Sequence, residues 1–253
     1  MDKIPQEKCE KMTIEQAERL VGWKVEEKVD GSRSFFNGTK FVSPERATFK
    51  NERYTHILNE LKGINCVIDG EIYFPDGCVS DATLTENWKK CKYAVFDLLE
   101  IDGFNTTKLP LWCRSAMLKA LVKGMVNVHF VREFKSAREG WDYAKKNDKE
   151  GIVIKNLQSA YVDKRSRDWI KVKNYHEITL EIVGYEEGSE KGAFILSNGG
   201  RMSALSADYV AEYKRLSAKG VNSKVFAEIE YLYKTKAGKL FQPVLKRLVA
   251  KLK

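Results

Sequence analysis

The sequence predicts an α+β fold with antiparallel sheets over residues 1–177, followed by a small β-barrel of OB type over residues 178–253. Two patterns carry this expectation. Up to about residue 175, runs rich in β-branched and aromatic residues are mixed with helical segments, an order that suits antiparallel sheets with helices beside them. Beyond the boundary, placed near Tyr175–Thr179, five short strands at close spacing enclose a single helix. A chain of 253 residues has room for one large domain or two smaller ones.

In order, Thr13 and Gln16 form a capping-box pattern opening the helix TIEQAERL, and WKVEEKVDG alternates as a strand. NERYTHILNELKG reads as a helix ending at Gly63. INCVIDGEIYF and KYAVFDLLE read as strands. LPLWCRSAMLKALVKG is a helix with Pro110 at its start and Gly124 at its end. VNVHFVREF is a strand, and SAREGWDYAKKND a helix capped by Ser136 and Glu139. GIVIKN and DWIKVKN are strands. In the second part the strands are TLEIVGY, GAFILSN, RMSAL, VFAEIEYLY and LFQPVLKRL, interrupted by the helix DYVAEYKRLSAKG.

Composition narrows the function classes. Apolar residues make up 43% and charged residues 31%, ordinary for a globular protein. No apolar run is long enough to span a bilayer, and the charged N-terminus MDKIPQEKCEKM lacks the core of a secretory signal. Five cysteines without a CxxC pair argue against a disulfide framework or a zinc site and for a reducing compartment. The net charge of +9 points to a polyanionic partner. Residues 180–253 hold 13 Lys and Arg against 8 Asp and Glu, and KTKAGKLFQPVLKRLVAKLK carries seven basic groups and no acid, so a phosphate-contacting surface is expected there.

Five stretches share one chemistry: Lys28-Val29-Asp30-Gly31-Ser32-Arg33, Asp69-Gly70-Glu71, Tyr93-Ala94-Val95-Phe96-Asp97, Glu150-Gly151-Ile152-Val153-Ile154-Lys155 and Trp169-Ile170-Lys171-Val172-Lys173. Taken singly, each is ordinary: a turn, a buried strand, two solvated lysines. Together they describe a pocket for a nucleoside triphosphate. Lys28 is an amine nucleophile for the α-phosphorus, with nearby cations to lower its pKa. Lys171 and Lys173, two apart on a strand, face the same way and neutralise the phosphate. Glu71 and Glu150 are candidate ligands for a hard divalent cation. Phe96 and Val153 are candidate walls for the base.

In order and spacing these stretches resemble motifs I, III, IIIa, IV and V of the ATP-dependent DNA ligases, members of the covalent nucleotidyltransferase superfamily that also holds RNA ligases and mRNA capping enzymes. The resemblance spans roughly residues 20–250. It implies a nucleotidyltransferase (adenylation) domain followed by an OB-fold domain, in the minimal two-domain arrangement of viral or bacterial ligases, using ATP and Mg²⁺ (or Mn²⁺). It implies that Lys28 carries AMP, that Glu26 lies near the adenine, and that Arg33 and Glu71 contact the ribose and help place the nick. Phe96 then stacks on adenine with Val153 opposite, Glu150 and Glu71 serve the metal, Lys171 and Lys173 hold the α-phosphate, and Arg165 is a further phosphate contact. The family's Ser-Arg dipeptide after motif I is split here between Ser43 and Arg46, and Arg46 takes that role. In motif VI, FQPVLKRLVAKLK lacks the usual acid and Val249 stands where an arginine is usual, leaving Arg247 or Lys251 to orient pyrophosphate.

The resemblance implies three displacements: Lys28 takes AMP from ATP, AMP passes to the 5′-phosphate at a nick, and the 3′-OH seals the strand. Only about 20 residues precede the catalytic strand, and neither the upstream domain nor the zinc-binding cysteines of nicotinamide-dependent ligases is expected. The implied partner is nicked double-stranded DNA. A monomer is expected, with no membrane partner, in the cytoplasm or the host-cell cytoplasm of a virus. The rival readings are an RNA ligase, a capping guanylyltransferase using GTP, and a non-enzymatic nucleic-acid-binding OB protein. AGKLFQPVLKRL, which resembles the last strand pair of DNA ligases, favours DNA.

Overall fold

The computed structural model describes residues 4–44, 50–75, 77–82, 84–188, 192–204, 206–218, 223–235 and 238–252. The chain divides into two compact units, Met1–Lys173 and Asn174–Lys253.

The first unit holds strands β1 (Lys8–Lys11), β2 (Lys24–Glu27), β3 (Ser32–Phe36), β4 (Phe41–Val42), β5 (Cys66–Tyr73), β6 (Lys92–Ile101), β7 (Phe104–Asn105), β8 (Val128–Phe130), β9 (Glu133–Phe134), β10 (Gly151–Lys155) and β11 (Arg165–Lys173). One sheet runs β1-β11-β10-β2-β9, and the other β4-β3-β5-β6-β7 with β8 on β6. Most pairs are antiparallel, but β1–β11 and β6–β8 are parallel, so the sheets are mixed. Five helices accompany them: α1 (Ile14–Ala17), α2 (Thr55–Glu60), α3 (Val79–Ala82), α4 (Leu111–Leu121) and α5 (Ala137–Lys146). Thr13 and Gln16 close a full capping box on α1, and Ser136 caps α5 by accepting from the Glu139 N–H.

Alternation along the strands sorts the first sheet into two faces. Val25, Ile152, Ile154, Ile170 and Val172 pack with α1 and α5 through Ile14, Ala17 and Ala137. The residues between them point the other way, where Tyr161 and Trp169 meet Phe35 and Leu99 of the second sheet. A third cluster, including Ile57, Leu61, Ile68, Tyr93 and Leu118, joins α2 and α4 to the second sheet.

The second unit holds β12 (His176–Glu186), β13 (Ala193–Leu196), β14 (Arg201–Ser203), α6 (Ala207–Ser217), β15 (Ser223–Tyr231), β16 (Tyr233–Lys234), β17 (Leu240–Phe241) and β18 (Val244–Leu252). Five strands form an antiparallel sheet in the order β14-β13-β12-β15-β18, and β16–β17 is a separate ribbon. Among the described residues no ladder joins β14 to β18, so the sheet is not a closed barrel. Its core includes Phe194, Ala227, Ile229 and Leu216 of α6.

Two expected strands are divided. VNVHFVREF becomes β8 and β9, which pair with different sheets. LFQPVLKRL becomes β17 and β18, broken where Gln242 adopts a positive φ of 50° before Pro243, which has no N–H to give a ladder.

The interior of the first unit contains a fully buried ion pair. Arg114 Nε and Nη2 donate to the two oxygens of Asp97 at 2.7 and 2.9 Å, and both side chains are 0% exposed. The remaining guanidinium nitrogen donates to the carbonyls of Leu109 and Ser159, joining α4 to the loop after β10. Arg114→Met leaves Asp97 buried without a cation and should cost about 3–5 kcal/mol. Urea unfolding at neutral pH measures this, and a loss under ~1 kcal/mol would show that Asp97 finds another partner.

Candidate active site

Register pairing builds three rows across β2, β10 and β11. Glu26, Val153 and Lys171 are directly opposed, as are Lys24, Lys155 and Trp169. In the third row Gly151 opposes Lys173, and its carbonyl accepts the Lys28 N–H at 3.0 Å. Members of successive rows are two residues apart, so all share the face turned away from α1 and α5. Gly151 has a φ of 142°, and a Cβ there would lie 2.0 Å from the Val172 carbonyl oxygen. Gly31 is equally confined, 2.3 Å from the Ile72 carbonyl oxygen. Only glycine lets these strands close around Lys28.

A cavity of about 250 Å³ lies on this face. Glu26, Lys28, Arg33 and Glu71 line it, as do Phe96, Val153, Arg165 and Lys171. Lys28 Nζ donates to Glu150 Oε2 at 2.6 Å, and Lys173 Nζ lies 2.9 Å from Glu150 Oε1, so one carboxylate bridges two lysines. Burial pulls the Lys28 ammonium down, but Glu150 and then Glu71 outweigh it and hold its pKa above the ordinary lysine value. The expected lowering by neighbouring cations is therefore reversed here. Lys171 does have a lowered pKa, through burial and the charges of Lys28 and Lys173. Burial pushes the Glu71 carboxyl up to about 8, with Lys28 opposing and Glu150 adding to the rise.

The other predicted residues fall in varied settings. The Arg33 fork is already engaged: Nε and Nη2 bond Asp69 at 3.0 and 2.6 Å, and Nη1 bonds the Glu7 carbonyl at 2.6 Å. Arg165 is exposed and donates to the Cys9 carbonyl. Arg46 lies outside the described residues. Arg247 belongs to the second unit, exposed and forked onto Glu228 at 2.7 and 2.8 Å. The Lys251 backbone is in β18, opposite Lys224. Much of the basic surplus after residue 180 is paired across strands: Lys224 with Glu181, Lys246 with Glu230, Arg201 with Glu186.

Glu71 and Glu150 are the carboxylates beside Lys28, and among the described residues no trio of acidic, histidine or cysteine side chains is arranged to hold a metal. Two carboxylates fit an ion that completes its shell with phosphate oxygens and water, as Mg²⁺ does.

Sequence reasoning missed the N-terminal wall. Gln6, Lys8 and Cys9 line the cavity. Glu7 is buried; its N–H donates to Tyr161 Oη at 3.1 Å, its Oε2 accepts from the Val162 N–H at 3.1 Å, and its Oε1 has no hydrogen-bond partner among the described residues. The four charged and polar residues of β1 show no alternation that would announce a strand. Lys155 and Trp169 were in the motifs without a role; both are buried cavity walls, and Lys155 Nζ lies 4.0 Å from the Trp169 ring centre.

The family described as ATP dependent DNA ligase domain matches residues 7–173. The SPbeta prophage-derived DNA ligase-like protein LigB of Bacillus subtilis is 33% identical over 165 residues, 60% of this chain and 60% of that protein. The bifunctional non-homologous end joining protein LigD of the same organism is 26% identical over 206 residues, 64% of this chain and 33% of that protein. The chain thus spans between a third and three fifths of the length of these curated relatives. Among solved structures, a Lig E DNA ligase superposes with a TM-score of 0.71 at 19% identity, covering 98% of this chain and 100% of that one. Mycobacterial DNA ligase D, complexed with ATP and MES, gives 0.61 at 18% identity, covering 97% and 94%. These superpositions establish a shared fold.

The burial of Glu7 has a measurable consequence. Burial raises its pKa from 4.5 to about 7, despite hydrogen bonds from Val162 and Ser166. A raised carboxyl favours folding below its unfolded value, and that contribution is lost as pH rises through the folded value. The nucleotide-free protein should therefore lose up to about 3 kcal/mol through Glu7 between pH 5 and 8. Glu7→Gln should flatten this part of the dependence in thermal unfolding at the two pH values. An unchanged slope would show that Glu7 is solvated in the folded state.

Proposed function

The chain belongs to the family of ATP-dependent DNA ligase domains, and from that premise we propose that it seals nicks in duplex DNA through lysyl–AMP and DNA–adenylate intermediates. The observation that carries this reading is the single carboxylate, Glu150, bridging Lys28 and Lys173, with Lys28 lining a cavity walled by Phe96 and Val153. A nucleophile, a phosphate cradle and an acid share one strand-end cluster, and an apolar slot for a base adjoins it.

In the first step Lys28 Nζ forms a P–N bond to the α-phosphorus of ATP, the α–β P–O bond breaks, and pyrophosphate leaves. Lys28 must first give up a proton, because its ion pair with Glu150 keeps it charged in the nucleotide-free protein. Lys171 and Lys173 face the α-phosphate and offset its developing charge. Glu150 and Glu71 would hold Mg²⁺ or Mn²⁺, which would supply charge neutralisation there. In the second step a 5′-phosphate oxygen displaces Lys28 from phosphorus. In the third the 3′-OH attacks the adenylated 5′-phosphate and AMP departs. Phe96 and Val153 sandwich the adenine, and Arg33 and Glu71 serve the ribose and the nick.

The second unit fits an OB-type domain that contacts the duplex, with three strands, a helix and then the remaining strands along the chain. Arg46, Arg165, Arg247 and Lys251 are proposed phosphate contacts, with Arg247 or Lys251 on pyrophosphate. The protein is proposed to act on DNA as a monomer, in the cytoplasm.

Incubation with ATP and Mg²⁺ should give a protein–AMP adduct by mass spectrometry, absent in Lys28→Ala; an adduct in that variant rejects Lys28 as nucleophile. Adduct formation should accelerate with rising pH as the free amine grows, and Glu150→Gln should move that rise to lower pH while slowing the reaction overall. Sealing of nicked DNA/DNA over RNA/RNA duplexes is expected, and a preference for RNA ends would overturn the DNA assignment.

A further inference from the structure

The floor of the cavity holds a carboxylate clamped between two ammonium groups. Glu26 Oε1 is 2.6 Å from Lys24 Nζ, and Glu26 Oε2 is 2.6 Å from Lys155 Nζ. All three side chains are at most 7% exposed. Both lysines hold the carboxylate by charge and hydrogen bonding, and its two oxygens, with two lone pairs each, keep acceptor sites for a ligand. Lys155 lines the cavity beside Phe96 and Trp169, its ammonium 4.5 and 4.0 Å from the two ring centres.

Lys24 does not line the cavity. It approaches Glu26 from behind, donating to Ser115 Oγ of α4 at 2.9 Å, 3.4 Å from Glu133 Oε1 and 4.3 Å from the Phe130 ring centre. Three elements, α4, β8 and β9, thus fix its ammonium against a carboxylate that burial alone would protonate.

Glu26 lies two residues before Lys28 on the same face, about 7 Å along the strand. With the α-phosphate at Lys28, a purine entering between Phe96 and Val153 brings its edge furthest from the ribose, at N1 and C6, towards Glu26. A carboxylate in this position accepts hydrogen bonds and donates none. Adenine offers an amine at C6; hypoxanthine offers a carbonyl, which the carboxylate repels.

We propose that Lys24, which lies outside the five motifs and outside the cavity wall, is a positioning residue that fixes Glu26 as an acceptor and so selects a 6-amino purine over a 6-oxo purine. The proposal rests on the reading of the cavity as a nucleotide site with Lys28 as nucleophile. ATP and ITP differ at position 6 and in the N1 proton that follows from it, so their ratio of adduct formation reads this contact. The wild-type protein should favour ATP by roughly 100-fold. Lys24→Met should reduce the preference to within about tenfold, and Lys24→Arg should retain most of it. Ser115→Ala, which loosens Lys24 but keeps its charge, should give an intermediate loss. Because both nucleotides are tested on one preparation, the ratio is independent of the fraction folded. The absence of an adduct with either nucleotide in the wild-type protein overturns the reading of the cavity. An ATP adduct with a preference unmoved by Lys24→Met and Ser115→Ala overturns the role of Lys24 alone.

Discussion

The first unit is organised around the need to hold several cations close together. Lys28, Lys171 and Lys173 converge on one sheet face, with Arg33 and Lys155 nearby. Like charges brought close together in a partly buried site repel one another. Carboxylates placed between them relieve that repulsion: Glu150 between Lys28 and Lys173, Glu26 between Lys24 and Lys155, Asp69 against Arg33. The arrangement raises the pKa of both Lys28 and Glu71, so each holds its proton more tightly than a free side chain does. On the proposed reading, a ligand with anionic oxygens competes with Glu150 for the two lysines.

A parallel constraint acts one layer deeper. Asp69 and Asp97 are register partners on β5 and β6, both fully buried. Each carries a guanidinium fork, Arg33 on one and Arg114 on the other. Tyr161 Oη bonds Asp69 at 2.7 Å and meets the Glu7 N–H, so the fork of Arg33 ties β3, β5 and the N-terminal segment into one network. Arg33 therefore acts as part of the wall as well as facing the cavity.

Much of the site was legible because strand periodicity is strict. Lys171 and Lys173 share a face by spacing alone, and Glu26 shares one with Lys28. What spacing does not reveal is register between distant strands, and that register makes Val153 the neighbour of both Glu26 and Lys171. Nor does it reveal partners for charges: the basic surplus after residue 180 reads as a free phosphate surface, yet Arg247 and Lys246 are paired across strands. VNVHFVREF reads as one strand because it is rich in β-branched and aromatic residues, yet its alternation breaks at Phe130-Val131, where the chain leaves β8 for β9 in the other sheet. The N-terminal strand was invisible for the opposite reason. Its residues are polar, and it is held by a parallel ladder to a strand more than 150 residues away.

That ladder governs the order in which the protein can mature during synthesis. Gln6 and Cys9 emerge from the ribosome early, while their partners Asp163 and Ser166 are translated 157 residues later. Non-local strand pairing forms slowly and exposes unpaired edges while it waits. The wall formed by β1 can therefore close only after β11 has left the exit tunnel, and a truncated nascent chain ending before Arg165 carries Lys28 without Lys171 and Lys173. Premature termination yields a chain with its first motif intact and no assembled pocket to use it.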